Sequence, residues 1–212
     1  FRDEFWDNLW NGLNIDLPNL FERVRDTVQW HLNKTGDIKI QIFDAAFDSA
    51  VLKELKQEAK KLKSDWINGY WERLDSIQGI EFLFRGQSLG IDSDMLDLLL
   101  QDRSNSALLQ DMREKPPEEW PQILEDTLEG FEIEQASDDN QAGQIRAVVQ
   151  AGNRWLMDYT RAGRMVSFGP ERVFATIAGL QTEASNMTLC VVGRANKIKP
   201  EVLEKCLESS YV

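Results

Sequence analysis

The chain has 212 residues, of which 24 are Lys or Arg and 36 are Asp or Glu, so its formal net charge is 24 − 36 = −12. Its hydrophobic share of 42% is too high for a disordered tail, and 13 Gly with 6 Pro are too few for a fibrous or low-complexity protein. Two cysteines exclude a disulfide-dense scaffold. These numbers indicate a soluble globular protein that combines helix and strand.

The negative charge is concentrated in the middle of the chain. Residues 90–140 carry 3 basic and 15 acidic side chains, a net charge of 3 − 15 = −12. The preceding residues 1–89 carry 12 − 15 = −3, and residues 141–212 carry 9 − 6 = +3. An acidic segment of this kind repels phosphate backbones, and it either meets a basic partner or keeps the protein in solution.

An aromatic amphipathic helix is predicted at the start of the chain. Over residues 3–13 the apolar side chains fall on one stripe that includes Trp6 and Trp10. The polar side of this stripe is acidic, whereas helices that lie on membranes usually carry Lys and Arg there. We therefore expect this helix to dock on its own core or on a protein partner, and not on a membrane.

The next segments predict helix, strand, long helix and strand. A helical period runs from Leu17 to Leu32, and isoleucines then alternate with polar residues over 37–43, which is typical of a strand. A long helical period from Asp44 to Ile77 follows, with Asn68-Gly69 as its candidate break. Alternation over 79–85 predicts a second strand. Strand, helix and strand indicate a parallel βαβ unit, with antiparallel pairing as the open alternative.

The second half of the chain is predicted to be mainly helical. Residues 91–135 are acidic and helical, with an interruption at Pro116-Pro117, and further helices follow over 141–165, from Pro170 and from Pro200. Met187 to Val192 predicts a third strand. The predicted fold is an α-rich α/β or α+β protein with a small sheet of two or three strands, at about 37–43, 79–85 and 187–193. We divide it into N-terminal helices (1–36), a βαβ-like unit (37–90), an acidic helical segment (91–140), and a helical segment ending in strand and helix (141–212), together one compact domain with a helical insertion.

The chain lacks the usual sequence motifs for cofactor binding, metal binding and catalysis. The chain has no G-x-x-x-x-G-K-[ST] and no G-x-G-x-x-G pattern, which argues against a P-loop or dinucleotide-binding enzyme. His31 is the only histidine, so we expect no histidine-rich metal site and no Ser-His-Asp triad. We therefore expect no cofactor and no metal, and the sequence favours a protein that is not an enzyme.

Four polar residues would form a cleft if all three predicted strands ran parallel. Asp44 follows the first strand, Arg85 ends the second, and Arg194 and Lys197 follow the third. Open parallel sheets bind ligands at that edge, so the four predict a small-anion site. The alternative is that Asp44 caps a helix and the cations are ordinary surface residues.

A basic stretch and one tryptophan are the remaining candidates for binding. Arg154, Arg161 and Arg164 lie near helical spacing and either bind nucleic acid or pair with the acidic middle segment. The overall charge favours pairing. Tyr70 and Trp71 are adjacent on a predicted helix and cannot both point inward, which leaves Trp71 as a candidate partner contact.

These observations favour a non-catalytic interaction or assembly protein. Segregated charge and aromatic amphipathic helices would serve a protein partner or self-association, through Trp6, Trp10, Trp71 and the arginines named above. The alternatives are a ligand-binding protein or enzyme at the strand-end cleft, and nucleic-acid binding through the C-terminal basic stretch, which the charge opposes. A cytoplasmic location is favoured, although the chain begins at Phe1 and a leader is not excluded. Whether Cys190 and Cys206 pair is left open.

Overall fold

The computed structural model describes residues 19–36, 40–134, 141–204 and 206–207. A 3-10 turn at Pro117–Glu119 leads directly into one of the helices. In this part of the chain there are nine α-helices and no strand: α1 Asn19–Thr35, α2 Ile40–Lys61, α3 Asp65–Ser88, α4 Ser93–Leu100, α5 Ser106–Arg113, α6 Trp120–Thr127, α7 Gln141–Arg164, α8 Pro170–Ala195 and α9 Pro200–Glu204.

The predicted α/β or α+β fold with its small sheet is therefore wrong. Residues 79–85 lie inside α3, and residues 187–193 lie inside α8. Of the first predicted strand, residues 40–43 begin α2, and residues 37–39 lie outside the described residues. The division into four segments stays a prediction, but its βαβ-like unit contains helices where the strands were expected.

The alternation of apolar residues in α3 has a helical cause. Ile77, Ile80, Leu83 and Phe84 are all buried and follow steps of three and four. Phe82, which completes the apparent alternation, is half-buried against the same core. A helix covered by neighbours on several sides is apolar almost all round, so any short window of it can imitate the period of a strand.

The long helix predicted over 44–77 is two helices joined by a tight turn. Lys63 has a φ of 52°, in the left-handed region that ends helices, so α2 stops at Lys61. Ser64 then caps α3, with its side-chain oxygen accepting a hydrogen bond from the Ile67 amide at 3.2 Å. The candidate break at Asn68-Gly69 lies within the first turns of α3 and does not interrupt it.

Helix α3 lies at the centre of the molecule. It packs against α2 on one side and α7 on another, α1 packs on α2, and α8 packs on α7. The largest core cluster surrounds the second half of α3, where the Phe84 and Trp120 rings meet edge to face at 4.9 Å. A second cluster joins α1, α2 and α4. Helix α8 consequently lies on the outside of the molecule, with α7 as its main neighbour.

Candidate interaction surfaces and polar sites

Two of the four residues predicted to form the strand-end cleft do share a cleft. Asp44 on α2 and Arg85 on α3 line a cavity of about 220 Å³ between these helices. Arg194 and Lys197 are not among its lining residues; they lie at the last turn of α8 and just after it. Packing of α2 on α3 brings the first pair together, whereas the parallel sheet that was expected to gather all four does not exist.

Both acidic and basic side chains line this cleft. Arg85 forms an ion pair with Glu81, one turn before it on α3. Burial raises the pKa of the Asp48 carboxyl, although the nearby Arg103 acts in the opposite direction. Gln78 Oε1 and Arg103 Nε are buried and have no hydrogen-bond partner among the described residues. The cleft therefore offers unsatisfied polar atoms, but acids are at least as numerous as bases around it.

A buried ion cluster lies beside the cleft, and the sequence patterns did not indicate it. Asp75 on α3 is 3% exposed. It accepts hydrogen bonds from Lys56 on α2 at 2.7 Å, from Arg103 at 2.9 Å, and from the amide and hydroxyl of Ser104 at 2.9 Å each. Burial by itself raises the pKa of Asp75, but the bonds from Lys56 and Arg103 outweigh burial and hold this pKa below its ordinary value. The cluster ties α2, α3 and the loop after α4 together.

Stacked aromatic rings hold α3 to α7. The rings of Trp66 and Tyr159 lie parallel, with their centroids 5.1 Å apart, and the Tyr159 hydroxyl donates to the Trp66 carbonyl at 3.0 Å. Gly163 makes this approach possible, since a Cβ there would lie 2.2 Å from the Trp66 ring. The Arg73 guanidinium lies 3.9 Å from the centroid of the Tyr159 ring, which is a cation–π contact.

Trp71, a predicted partner contact, is half-buried beside the same helices. Its ring meets those of Tyr70 and Phe174 edge to face, with centroids 5.4 and 5.9 Å away. Tyr70 is half-buried as well, and it also contacts Phe174 at 4.9 Å. Both members of the Tyr70-Trp71 pair thus share in the packing of α3 against the start of α8.

The arginines of the basic stretch have partners within the chain. Arg154 pairs with Glu134 of the acidic segment at 2.6 Å and donates to the Glu132 carbonyl at 3.2 Å. Arg161 pairs with Asp158 at 2.5 Å, on its own helix. Arg164 also interacts with other residues, at the end of α7. Trp6 and Trp10, the other predicted partner contacts, lie outside the described residues.

Five large apolar side chains on α8 are exposed, and they were not among the residues predicted to contact a partner. Val173, Ile177, Leu180, Met187 and Val191 are each between 57% and 69% exposed. The last two belong to the segment predicted as a strand. Steps of four and three residues connect all five positions through Ala184, and that spacing was the signal in the sequence.

The described residues include neither a candidate metal site nor a candidate membrane-spanning helix. No group of three His, Cys, Asp or Glu side chains there could hold a metal ion, and His31 is buried within α1. No described helix has the length and apolar composition of a membrane span. Cys190 and Cys206, whose pairing the sequence left open, are free, exposed thiols in the described structure.

Comparison with known families gives one match. The sequence model of the ATP synthase (C/AC39) subunit family matches residues 15–206, which is 206 − 15 + 1 = 192 of the 212 residues. This range contains all nine described helices. Searches among curated proteins and among solved structures gave no significant match.

Proposed function

Because the chain belongs to the ATP synthase (C/AC39) subunit family, we propose that it is a non-catalytic subunit that joins other subunits of an ATP synthase complex. The observation that carries this proposal is the family match over residues 15–206. An assembly role agrees with the chemistry of the chain, in which neither a phosphate-binding motif nor a catalytic triad was found.

Two surface properties support an assembly role. The acidic segment gives residues 90–140 a net charge of −12, which favours contact with a basic surface. The exposed face of α8 offers apolar area of the kind that marks protein interfaces. Assembly through one charged and one apolar surface would give both attraction at a distance and stability in contact.

The residues predicted to contact a partner are proposed to have different roles in assembly. We propose that Trp6 and Trp10 contact another subunit through the predicted amphipathic helix. For Arg154 and Arg161 we propose a structural role, since each already pairs with a carboxylate of the chain. Trp71 is proposed to contribute only the part of its ring that Tyr70 and Phe174 leave uncovered.

Affinity purification from the native host tests the assembly role. The full chain, with a tag, should bring down the catalytic subunits of an ATP synthase in constant proportion, identified by mass spectrometry. The isolated chain should hydrolyse no ATP, while the purified assembly should. Recovery of the tagged chain by itself, or ATP hydrolysis by the chain alone, would contradict the proposal.

The cleft between α2 and α3 supports a second candidate function, the binding of a small polar ligand. The unpartnered buried Arg103 Nε and Gln78 Oε1 are the observation that favours it. Inorganic phosphate is the first probe, measured by isothermal titration calorimetry. If phosphate binds and Arg85→Ala weakens the binding, the cleft is a small-anion site. If no binding occurs at millimolar phosphate, this second candidate function is wrong.

A further inference from the structure

Six exposed apolar residues of α8 form one continuous stripe. We define the outer stripe as Val173, Ile177, Leu180, Ala184, Met187 and Val191. Successive members are separated by 4, 3, 4, 3 and 4 residues, so they follow one line along the helix. All six are exposed in the described part of the chain. The stripe covers 19 residues, or about 28 Å of helix at 1.5 Å per residue.

The opposite face of α8 is already occupied. Ala175, Ala178 and Gly179 are buried where α8 packs on α7. Their small size lets the two helices approach closely. A surface helix normally has one apolar face and one polar face, whereas α8 is apolar on both. Because monomeric proteins rarely expose large contiguous apolar patches, the outer stripe indicates a second contact that α7 cannot supply.

The spacing of the stripe identifies the shape of what covers it. Apolar residues at alternating steps of four and three form the seam along which two helices pack with a small crossing angle. No charged residue interrupts the seam between Val173 and Val191. A partner helix of about five turns with the same spacing would contact the whole seam. A flat surface would contact only the side chains that project furthest from α8.

Two arginines mark the ends of the stripe. Arg172 and Arg194 are both exposed, and the described residues include no ion-pair partner for either. They are 194 − 172 = 22 residues apart, or about six turns, so they lie on the same side of α8. Glu171, the nearest carboxylate in sequence to Arg172, instead accepts a hydrogen bond from Ser64 at 2.7 Å. The charge pattern is complementary to a helix with a carboxylate near each end.

A second copy of the chain fits this charge pattern poorly. In an antiparallel pair of α8 helices, Arg172 of one copy would lie close to Arg194 of the other at both ends. In either orientation, two molecules of net charge −12 repel each other.

We propose that the outer stripe of α8 binds an amphipathic helix of another subunit, one with a four-three apolar seam and a carboxylate near each end. The proposal deepens the assembly role and rests on it for the statement that the partner is a subunit of the same complex. Val173 to Val191 bury the seam, and Arg172 with Arg194 fix its register.

Binding of two synthetic helices to the full chain tests the stripe, with fluorescence anisotropy as the readout. Both peptides have about 20 residues with leucines at four-three spacing. One carries glutamates in its first and last turns and the other carries lysines there. The unmodified chain should bind the glutamate peptide at least about tenfold more tightly. Arg172→Glu combined with Arg194→Glu should reverse that preference.

Variants of α8 separate the stripe from the rest of the helix. Leu180→Glu combined with Met187→Glu should weaken binding of the glutamate peptide by at least about tenfold, because both side chains lie on the seam. Ser185→Glu is the matched control, since it adds a charge to an exposed position of α8 outside the stripe, and it should change the affinity less than about twofold. Circular dichroism should show the same helix content in all variants.

Several outcomes would overturn the proposal. Equal affinity for the two peptides, or unchanged affinity in Leu180→Glu with Met187→Glu, would show that the stripe is not the docking surface. A dimer in sedimentation equilibrium that Leu180→Glu dissociates would make a second copy the occupant. If Trp6→Ser combined with Trp10→Ser tightens peptide binding, the chain's own first residues compete with the peptide and cover the stripe.

The two proposals fail in different ways. If the tagged chain purifies with an ATP synthase but binds neither peptide, the assembly role stands and the docking surface is wrong. If the chain binds the glutamate peptide but purifies without an ATP synthase, the helix-binding surface stands and its assignment to a subunit of that complex is wrong.

Discussion

At the scale of single residues, Asp75 is a buried carboxylate held by hydrogen bonds from three residues. It is 3% exposed and receives hydrogen bonds from Lys56, Arg103 and Ser104. Removing one member of a buried ion pair leaves the other charge buried without compensation, which costs more than the pair itself contributes. Here the residue left behind would be Arg103, which is 5% exposed.

Asp75→Asn should lower the free energy of unfolding by about 3 kcal/mol, because the amide cannot neutralise the buried Arg103. Urea denaturation followed by circular dichroism measures this loss. Asp102→Asn is the matched control, since Asp102 pairs with Lys53 at 2.6 Å on the exposed side of the same loop. Its cost should stay below about 0.5 kcal/mol. Equal losses in the two variants would show that burial of the cluster has no special energetic role.

The close approach of α7 to α3 depends on Gly163. A methyl group at this position would lie 2.2 Å from the Trp66 ring, so Gly163→Ala must displace the ring from its stack on Tyr159. The gain in helix propensity, about 1 kcal/mol, is smaller than the cost of overpacking, and the net loss of stability should be about 1–2 kcal/mol. Tryptophan fluorescence should shift as Trp66 moves. Ala162→Ser, at the exposed neighbouring position, should change neither the stability nor the tryptophan fluorescence.

At the scale of elements, Ser64 couples the start of α3 to the start of α8. The Ser64 hydroxyl accepts a hydrogen bond from the Ile67 amide at 3.2 Å and donates one to the Glu171 carboxylate at 2.7 Å. One residue thus caps one helix and contacts the first turn of another. The hydrogen bond from Ser64 lowers the pKa of Glu171, which keeps that carboxylate ionised beside the positive end of the α8 dipole.

Ser64→Ala should destabilise the protein by about 1 kcal/mol, because the amide at the start of α3 loses its cap. Hydrogen exchange should show faster exchange of amides in the first turn of α3 than in its middle. Ser185→Ala, an exposed serine within α8, should leave both measurements unchanged. Uniformly faster exchange along α3 would mean that the helix start is not a local unit.

At the scale of the whole molecule, the ion cluster predicts how stability depends on pH. The pKa of Asp75 is lower in the folded protein than its ordinary value near 3.9, so its stabilisation is present above that value. This stabilisation is lost as the pH falls through the lower folded pKa. The pKa of Asp48 is raised by burial, and its contribution has the opposite sign, favouring the fold only at low pH.

Denaturation between about pH 2 and pH 6 should separate these two carboxyls. The unmodified chain should lose stability below about pH 4, and Asp75→Asn should flatten that loss. Asp48→Asn should steepen the rise of stability with pH, because the opposing contribution is gone. A slope that Asp75→Asn leaves unchanged would contradict the role assigned to the cluster.

The sequence by itself determined where two of the helices begin. Pro170 and Pro200 fix helix starts because proline suits the first turn, and α8 and α9 begin at these residues. The family match over residues 15–206 also belongs to the sequence. Three alternating residues, however, do not separate a strand from a buried helix, so the predicted sheet failed.

Only the tertiary structure decided what those faces contact. Asp44 and Arg85 share a cleft because α2 packs on α3. The sequence had predicted that a parallel sheet would bring these two residues together. The Asp75 cluster joins residues 19 and 28 positions away, and no local pattern marks such a set. The outer stripe of α8 was visible as spacing, but its exposure was not. Spacing sets which side chains share a face, whereas burial depends on which helices the folded chain places against that face.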